Sequence, residues 1–433
     1  MSLYTKFEPF TYKTLGDLEK KIKSLNLDIP INSEVEILQQ RIKLENRFIP
    51  NRLAIQPMEG ADSLEDGSPS ELTYRRYERF AKGGAGLIWF EATAISNDSR
   101  TTNHQLMLTE ENKHEFKKLV SQTRAWSNQS LEELGFKDPC LLILQLNHSG
   151  NYARNRKNDI ISDDELEELE DNWVNTAILS REVGFDGVDI KACHGYLISD
   201  LLASRARENS KYGGSSLENR TRFFLNIIRK LKKEMNKKSD FIITTRLGVY
   251  DGVPYPNGFG IKSLEEQESP APVDVSEPLQ LVKSLYDLGV RLINITAGNP
   301  HRDAYITRPY DTPIKGEEKP SEHPLYGVSR IINLATSIKK EVPEDMVVIG
   351  SGYSYLRQYA GYIAAGLIHE NKIDICGFGR MAFANPDFPK QIFQDGIINK
   401  KETCITCSRC AEVKRQGKST GCFIRDPLYK KRY

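Results

Sequence analysis

Eight short apolar runs punctuate this chain, and their rhythm constrains the fold more than any other feature. They fall at residues 53–55, 86–90, 140–146, 187–190, 241–245, 291–296, 346–349 and 373–376, bounded by Gly, Pro or Asp. Longer amphipathic stretches such as 165–183, 223–235 and 280–288 separate them. Runs this short and this apolar read as strands covered on both faces, the condition of a parallel sheet. Repeated strand–helix units of this kind predict an α/β fold, a (β/α)8 TIM barrel whose reactive groups sit on the loops following the strands. A doubly wound sheet is the rival, but it needs a glycine-rich phosphate turn after the first strand. None follows residue 55.

A chain of 433 residues is long for one domain, yet a barrel with insertions reaches ~400. The expected divisions are an N-terminal helical leader at 1–45, the barrel at 46–395 and a cysteine-rich segment at 396–433. Amphipathic segments at 15–25 and 33–44 are expected to be helices that cover one end of the barrel. Segments 252–278 and 299–325 are too long and too rich in Pro and Gly for plain connectors, which marks them as lids over the active face. Lys and Arg (60) balance Asp and Glu (59), so no global field favours nucleic acid or a membrane. The basic run at 229–233 reads as a solvated helix face. No apolar run approaches the ~18 residues of a membrane span. The polar start MSLYTKFEPF does not read as a secretory signal. A cytoplasmic protein acting on a small molecule is the expectation.

Proton-active side chains crowd the end of the fourth run. Val188-Asp189-Ile190 is followed within six residues by Lys191, His194 and Tyr196. The seventh run leads into Gly350-Ser351-Gly352 and the eighth into Gly377-Phe378-Gly379-Arg380. Loops after strands seven and eight are the usual phosphate site of a barrel, and glycines let backbone N–H groups approach the anion. Plain turns are the alternative. Arg246 ends the fifth run, where a guanidinium without a partner would be costly.

The stretch GVDIKACHGYL…YGGSSLENRTRF, with GFGRMAFANPDFP near the end of the barrel, resembles the Old Yellow Enzyme-like NADH:flavin oxidoreductases. These are FMN-binding TIM barrels that reduce activated alkenes. The resemblance implies that Gln145 binds the flavin pyrimidine and that Arg246 lies at the N1 edge. It implies that backbone at Pro57, Met58 and Ala92 touches the ring, and that Gly350, Ser351, Gly352, Gly377, Gly379 and Arg380 hold the phosphate. Glu59, next to the ring, stands where the family commonly places Thr or Cys. Lys191 and His194 match the pair that holds the substrate's carbonyl oxygen, and Tyr196 matches the proton donor. Donors aimed at that oxygen stabilise the charge that grows there as hydride reaches the β-carbon, and a phenol protonates the α-carbon. Lys191 replaces a histidine, and a cation there suits an enolate or a carboxylate, so anionic substrates are an expectation. The plainer alternatives are a Lys191 ion pair with Asp189 or Glu218, a core role for His194, and a Gln145 amide that satisfies interior backbone.

Cys140, Cys193 and Cys376 are scattered and read as small buried apolar residues. The other four form Cys404-x2-Cys407-x2-Cys410-x11-Cys422. Zinc modules pair two distant C-x2-C knuckles, whereas three close cysteines and one remote favour a [4Fe-4S] cluster. The spacing resembles the cluster site of the 2,4-dienoyl-CoA reductases and trimethylamine dehydrogenases, and the whole resemblance covers about residues 45–430. Those relatives continue into an FAD- and NAD(P)H-binding region that this sequence does not include. Electrons are therefore expected from a ferredoxin, flavodoxin or reductase subunit, with direct reduction by NAD(P)H as the alternative. The leading expectation is an FMN-dependent ene-reductase. Its rivals are oxidation of an amine or ether, and a non-catalytic carrier or zinc-stapled barrel. A cation at Lys191 repels an ammonium, and no aromatic cage can be read from the sequence.

Overall fold

The structure is a computed structural model that describes residues 6–153, 160–235, 240–263 and 269–432. Strands β1 (Ile42–Leu44) and β2 (Arg47–Ile49) form a small antiparallel hairpin. Strands β3 (Leu53–Ile55), β4 (Leu87–Ala94), β5 (Leu141–Asn147) and β6 (Gly187–Ile190) follow, then β7 (Ile242–Gly248), β8 (Leu292–Thr296), β9 (Val347–Gly350) and β10 (Ile375–Phe378). These last eight strands pair in parallel in chain order, and β10 closes on β3. Every expected apolar run is a strand of one (β/α)8 barrel, and closure excludes the doubly wound sheet.

The end of the barrel away from the site is plugged by the hairpin rather than by a leader helix. Leu44 and Ile49 pack with Ala54, Trp89, Ile143 and Leu292 in the barrel floor. The helix expected over 33–44 is only a 3-10 turn, Val35–Gln39, that runs into β1. Pairing Ile42 with Ile49 lets Leu44 and Ile49 both enter the floor. A single helix would not give that burial, and its own stability is marginal at this length. The helix Leu15–Ser24 does form, opened by a Thr14–Asp17 capping box. It lies on the barrel's flank, where Tyr326 donates to Leu25 O (3.5 Å) and Asn32 N donates to Tyr362 O (3.0 Å).

The other expected helices are present as Asp163–Glu182, Leu217–Glu234 and Ser276–Asp287. Lys230 on the basic run pairs with Glu170 and Asp171, as a solvated face should. Of the two expected lids, 299–325 reaches the barrel mouth. The described residues of segment 252–278 do not line it: Ile261 bridges Val273, and Glu277 holds Arg205 and Arg220. Residues 264–268 of that segment lie outside the described residues. Among the described residues no helix is long and apolar enough to cross a membrane.

Candidate active site

A cavity of about 430 Å³ opens at the C-terminal ends of the barrel strands. Pro57, Met58, Glu59, Ala92, Gln145, Lys191, His194, Tyr196 and Arg246 line it, joined by Ser351, Gly352, Gly379 and Arg380. Gly350 and Gly377 are the expected cofactor residues that do not. A Cβ at Gly377 would lie 1.9 Å from Gln56 Nε2, and one at Gly350 would lie 2.0 Å from Tyr353 Oη. Gly377 makes room for Gln56, which lines the cavity, and Gly350 for the buried Tyr353.

Asp189 organises the polar floor. Its buried carboxylate accepts from Gln145 Nε2 (2.6 Å), Arg246 N (2.6 Å) and Trp89 Nε1 (2.8 Å). Burial lifts its pKa to about 6, and those three donors hold it down against that rise. The Arg246 guanidinium donates to Gln56 and to Thr296 Oγ1 (3.3 Å), while its Nε is buried with no partner. Asp189 is therefore committed to the floor, and Glu218 pairs with Arg222 (3.1 Å). Neither takes Lys191.

The side chains after β6 are held in states that suit proton transfer. Lys191 is buried, and its Nζ lies 3.8 Å from the centre of the Tyr196 ring. Burial lowers its pKa to about 8. Burial also raises Tyr196 to about 12, so at neutral pH it is a phenol with a proton to give. His194 adopts a left-handed backbone (φ 68°), unusual for a non-glycine residue, which turns its ring into the cavity. Burial first, then Arg246 and Lys191, hold its imidazole neutral. His194 Nε2 lies 3.2 Å from Thr296 Oγ1, which also accepts from Arg246. Since Arg246 can only donate, the threonine proton is free for Nε2, which favours the Nδ1–H tautomer.

Several mouth residues escaped the sequence reading. Tyr152 stacks on His301 at 3.8 Å, and Tyr196 meets both edge-on, forming an aromatic wall. Arg308 comes from the 299–325 lid and lies beside Arg380. Arg380 Nη2 donates to Pro309 O (2.8 Å), while Nη1 of both arginines is buried with no partner. Two guanidinium groups with spare donors beside Gly352 and Gly379 fit a phosphate. Lys414 comes from the cysteine segment and pairs with Glu59 at 2.6 Å, and Glu59 also accepts from Thr101 Oγ1 at 2.9 Å. A signal for Lys414 was present, because it lies four residues after Cys410 and so on the same helical face. Tyr152, His301 and Arg308 carried none.

The four late cysteines gather under this mouth. All of them line one small cavity, and Cys410 faces both that cavity and the mouth. Thr406 (φ 50°) and Ser408 (φ 57°) take left-handed backbone, coiling the loop so that its sulfurs turn inward. Thr406 N donates to Cys404 Sγ (3.4 Å) and Arg425 N donates to Cys422 Sγ (3.3 Å). Among the described residues no three His, Cys, Asp or Glu side chains are grouped to hold a single metal ion. Burial raises the Cys404 thiol to about 12. The segment is anchored where buried Asp426 takes Arg75 at 2.8 Å and Arg79 at 2.5 Å, and where Thr420 N donates to Gly60 O at 2.8 Å. Cys140, Cys193 and Cys376 are buried, as expected.

A barrel with a polar floor, a corner of two arginines and a tyrosine–histidine–lysine set suits a flavin-dependent oxidoreductase. Residues 38–261 match the model of the NADH:flavin oxidoreductase / NADH oxidase family, and the chain belongs to that family. It is 26% identical to an NADH oxidase of Thermoanaerobacter brockii over 382 residues, 84% of this chain and 52% of that protein. It is 23% identical to a cinnamate reductase of Clostridium sporogenes over 396 residues, 87% of this chain and 55% of that protein. The chain thus spans about half the length of these two relatives. A solved 2-naphthoyl-CoA reductase superposes with a TM-score of 0.69 at 19% identity, covering 92% of this chain and 58% of that one, which speaks for the fold.

Proposed function

We propose that this protein is an FMN-dependent ene-reductase that reduces an activated C=C bond. The observation that carries the reading is Tyr196: a buried phenol on the same cavity as a cation, a neutral imidazole and the polar floor. FMN, when bound, supplies the hydride. Gln145 and Arg246 would hold the pyrimidine edge of the ring, and Arg308, Arg380, Ser351 and Gly352 its phosphate. The unpartnered Nη1 atoms and the partnerless Arg246 Nε support that fit. Lys191 and His194 bind the electron-withdrawing group and stabilise the charge that develops on it. Tyr196 delivers a proton to the α-carbon while the β-carbon gains hydride, so the alkene becomes the saturated product.

Cys404, Cys407, Cys410 and Cys422 are proposed to hold a [4Fe-4S] cluster. Their spacing and shared cavity support it, as do the backbone N–H groups donating to two sulfurs. The cluster would supply electrons from a protein donor, and NAD(P)H is the alternative reductant. The aromatic wall of Tyr152, His301 and Tyr196 favours a second reading, oxidation of an amine. Lys191, Lys414 and Arg415 on the same cavity oppose a cationic substrate. The test is anaerobic and has two arms: enones and enoates are added to the photoreduced protein, and methylated amines to the oxidised protein. Alkene reduction supports the first reading, and flavin bleaching by amines alone replaces it with the second.

A further inference from the structure

The mouth contains more cation than its own carboxylates can match. Glu59 is held by Lys414 (2.6 Å) and Thr101 (2.9 Å), and Arg415 pairs with Glu317 and donates to Pro300 O (2.9 Å). Asp189 is held by three donors of the floor. Among the described residues no carboxylate comes within 4 Å of Lys191 Nζ, although the side chain is buried and lines the cavity. Its near companion is the face of Tyr196 at 3.8 Å. Glu59, paired with Lys414, and Asp189 act on this ammonium only through space, so it has no carboxylate in direct contact, and an anion entering from the cavity would supply one.

We infer that Lys191 is the seat of a substrate carboxylate, and that the protein takes a planar α,β-unsaturated carboxylate whose flat body lies along the Tyr152–His301–Tyr196 wall. Stacked at 3.8 Å with 16° between planes, Tyr152 and His301 present a flat surface, and Tyr196 stands edge-on to His301 at 5.5 Å. Burial, with Lys414 and Lys191 nearby, keeps His301 neutral, its pKa pushed down to about 4, so the wall adds no second cation to compete for the anion. One carboxylate end and one flat body is what these two surfaces together select. A carboxylate is a weak activating group by itself. An ammonium against it would offset the second negative charge that grows there as the β-carbon accepts hydride.

The fate of the alkene rests on the ene-reductase reading, whereas the anion seat rests on the charge arrangement alone. The test uses the oxidised holoprotein, in which binding is measured without turnover. Calorimetry with trans-cinnamate and its isosteric amide, cinnamamide, should give about 30-fold tighter binding of the carboxylate, the size of one buried charge-assisted contact. Lys191→Met should reduce that ratio to below about 3-fold, and Lys191→Arg should retain most of it. Equal affinities in the wild type, or undiminished discrimination in Lys191→Met, overturn the inference. So does failure of both cinnamate and the smaller trans-2-hexenoate to bind. The photoreduced holoprotein separates the two claims. If cinnamamide is reduced and cinnamate is neither preferred nor reduced, the anion seat falls and ene-reduction stands. If cinnamate is preferred and neither compound is reduced, ene-reduction falls and the seat stands.

Discussion

Glu59→Gln removes the carboxylate that serves Lys414 at 2.6 Å while keeping the side chain's volume and its contact with Thr101. Glu59 is 8% exposed, so the loss is that of a buried partner. Breaking such a pair from one side costs about 3–5 kcal/mol, and the partly exposed Lys414 end places this case near 3. Unfolding entropy of about 2.1 cal/mol/K per residue over 433 residues is near 0.9 kcal/mol/K, so Tm should fall by about 3 °C. Lys414→Met strands Glu59 and should cost a similar amount. The double variant removes both charges and should regain most of the loss, falling far short of the sum of the two single losses. The effect has a pH signature. Burial works to raise the Glu59 pKa, but Lys414 and Lys191 together bring it below the usual value. A depressed carboxylate gives stability above its unfolded pKa that is lost as pH falls through the folded one, so the wild-type advantage should vanish in acid. Scanning calorimetry of the holoprotein at pH 7 measures the losses, and a pH series descending from the ordinary carboxylate pKa follows their decline. A Glu59→Gln change within 1 °C at pH 7, or additive losses in the double variant, would refute the reasoning.

Tyr196→Phe should cost about 10²–10⁴ in alkene reduction by the reduced protein and leave flavin content unchanged. Full activity in the variant would remove Tyr196 from the mechanism. Arg308→Ala and Arg380→Ala should each weaken FMN retention by about 10–100-fold if their free Nη1 atoms meet the phosphate. Dialysis followed by flavin fluorescence would report it. Anaerobically purified protein should carry iron and sulfide in equal amounts, and Cys404→Ser should lose both while keeping flavin. Zinc without iron would overturn the cluster. Carboxylate binding should weaken as pH rises through about 8, where Lys191 loses its proton, and Lys191→Arg should flatten that profile.

The barrel was legible in the sequence because strand spacing, apolar runs and helix rhythm are local properties that closure only makes permanent. Lys191, His194 and Tyr196 were legible for a related reason: they follow one strand end, and in a barrel that is where the mouth lies. Cys404, Cys407, Cys410 and Cys422 declared themselves by spacing. The helix expected at 33–44 did not form, because what decides it is the distant floor that Leu44 and Ile49 fill. The 252–278 lid likewise went to Arg205 and Arg220 through Glu277. Tertiary structure alone decided the counter-ions. Lys414 meets Glu59 across 355 residues of chain, and Arg308 stands beside Arg380 at the cavity. Among the described residues Lys191 has no carboxylate within 4 Å, Asp189 and Glu218 being engaged elsewhere. Electrostatic pairing depends on distance in space and on exclusion of water, and neither is recorded in the order of residues.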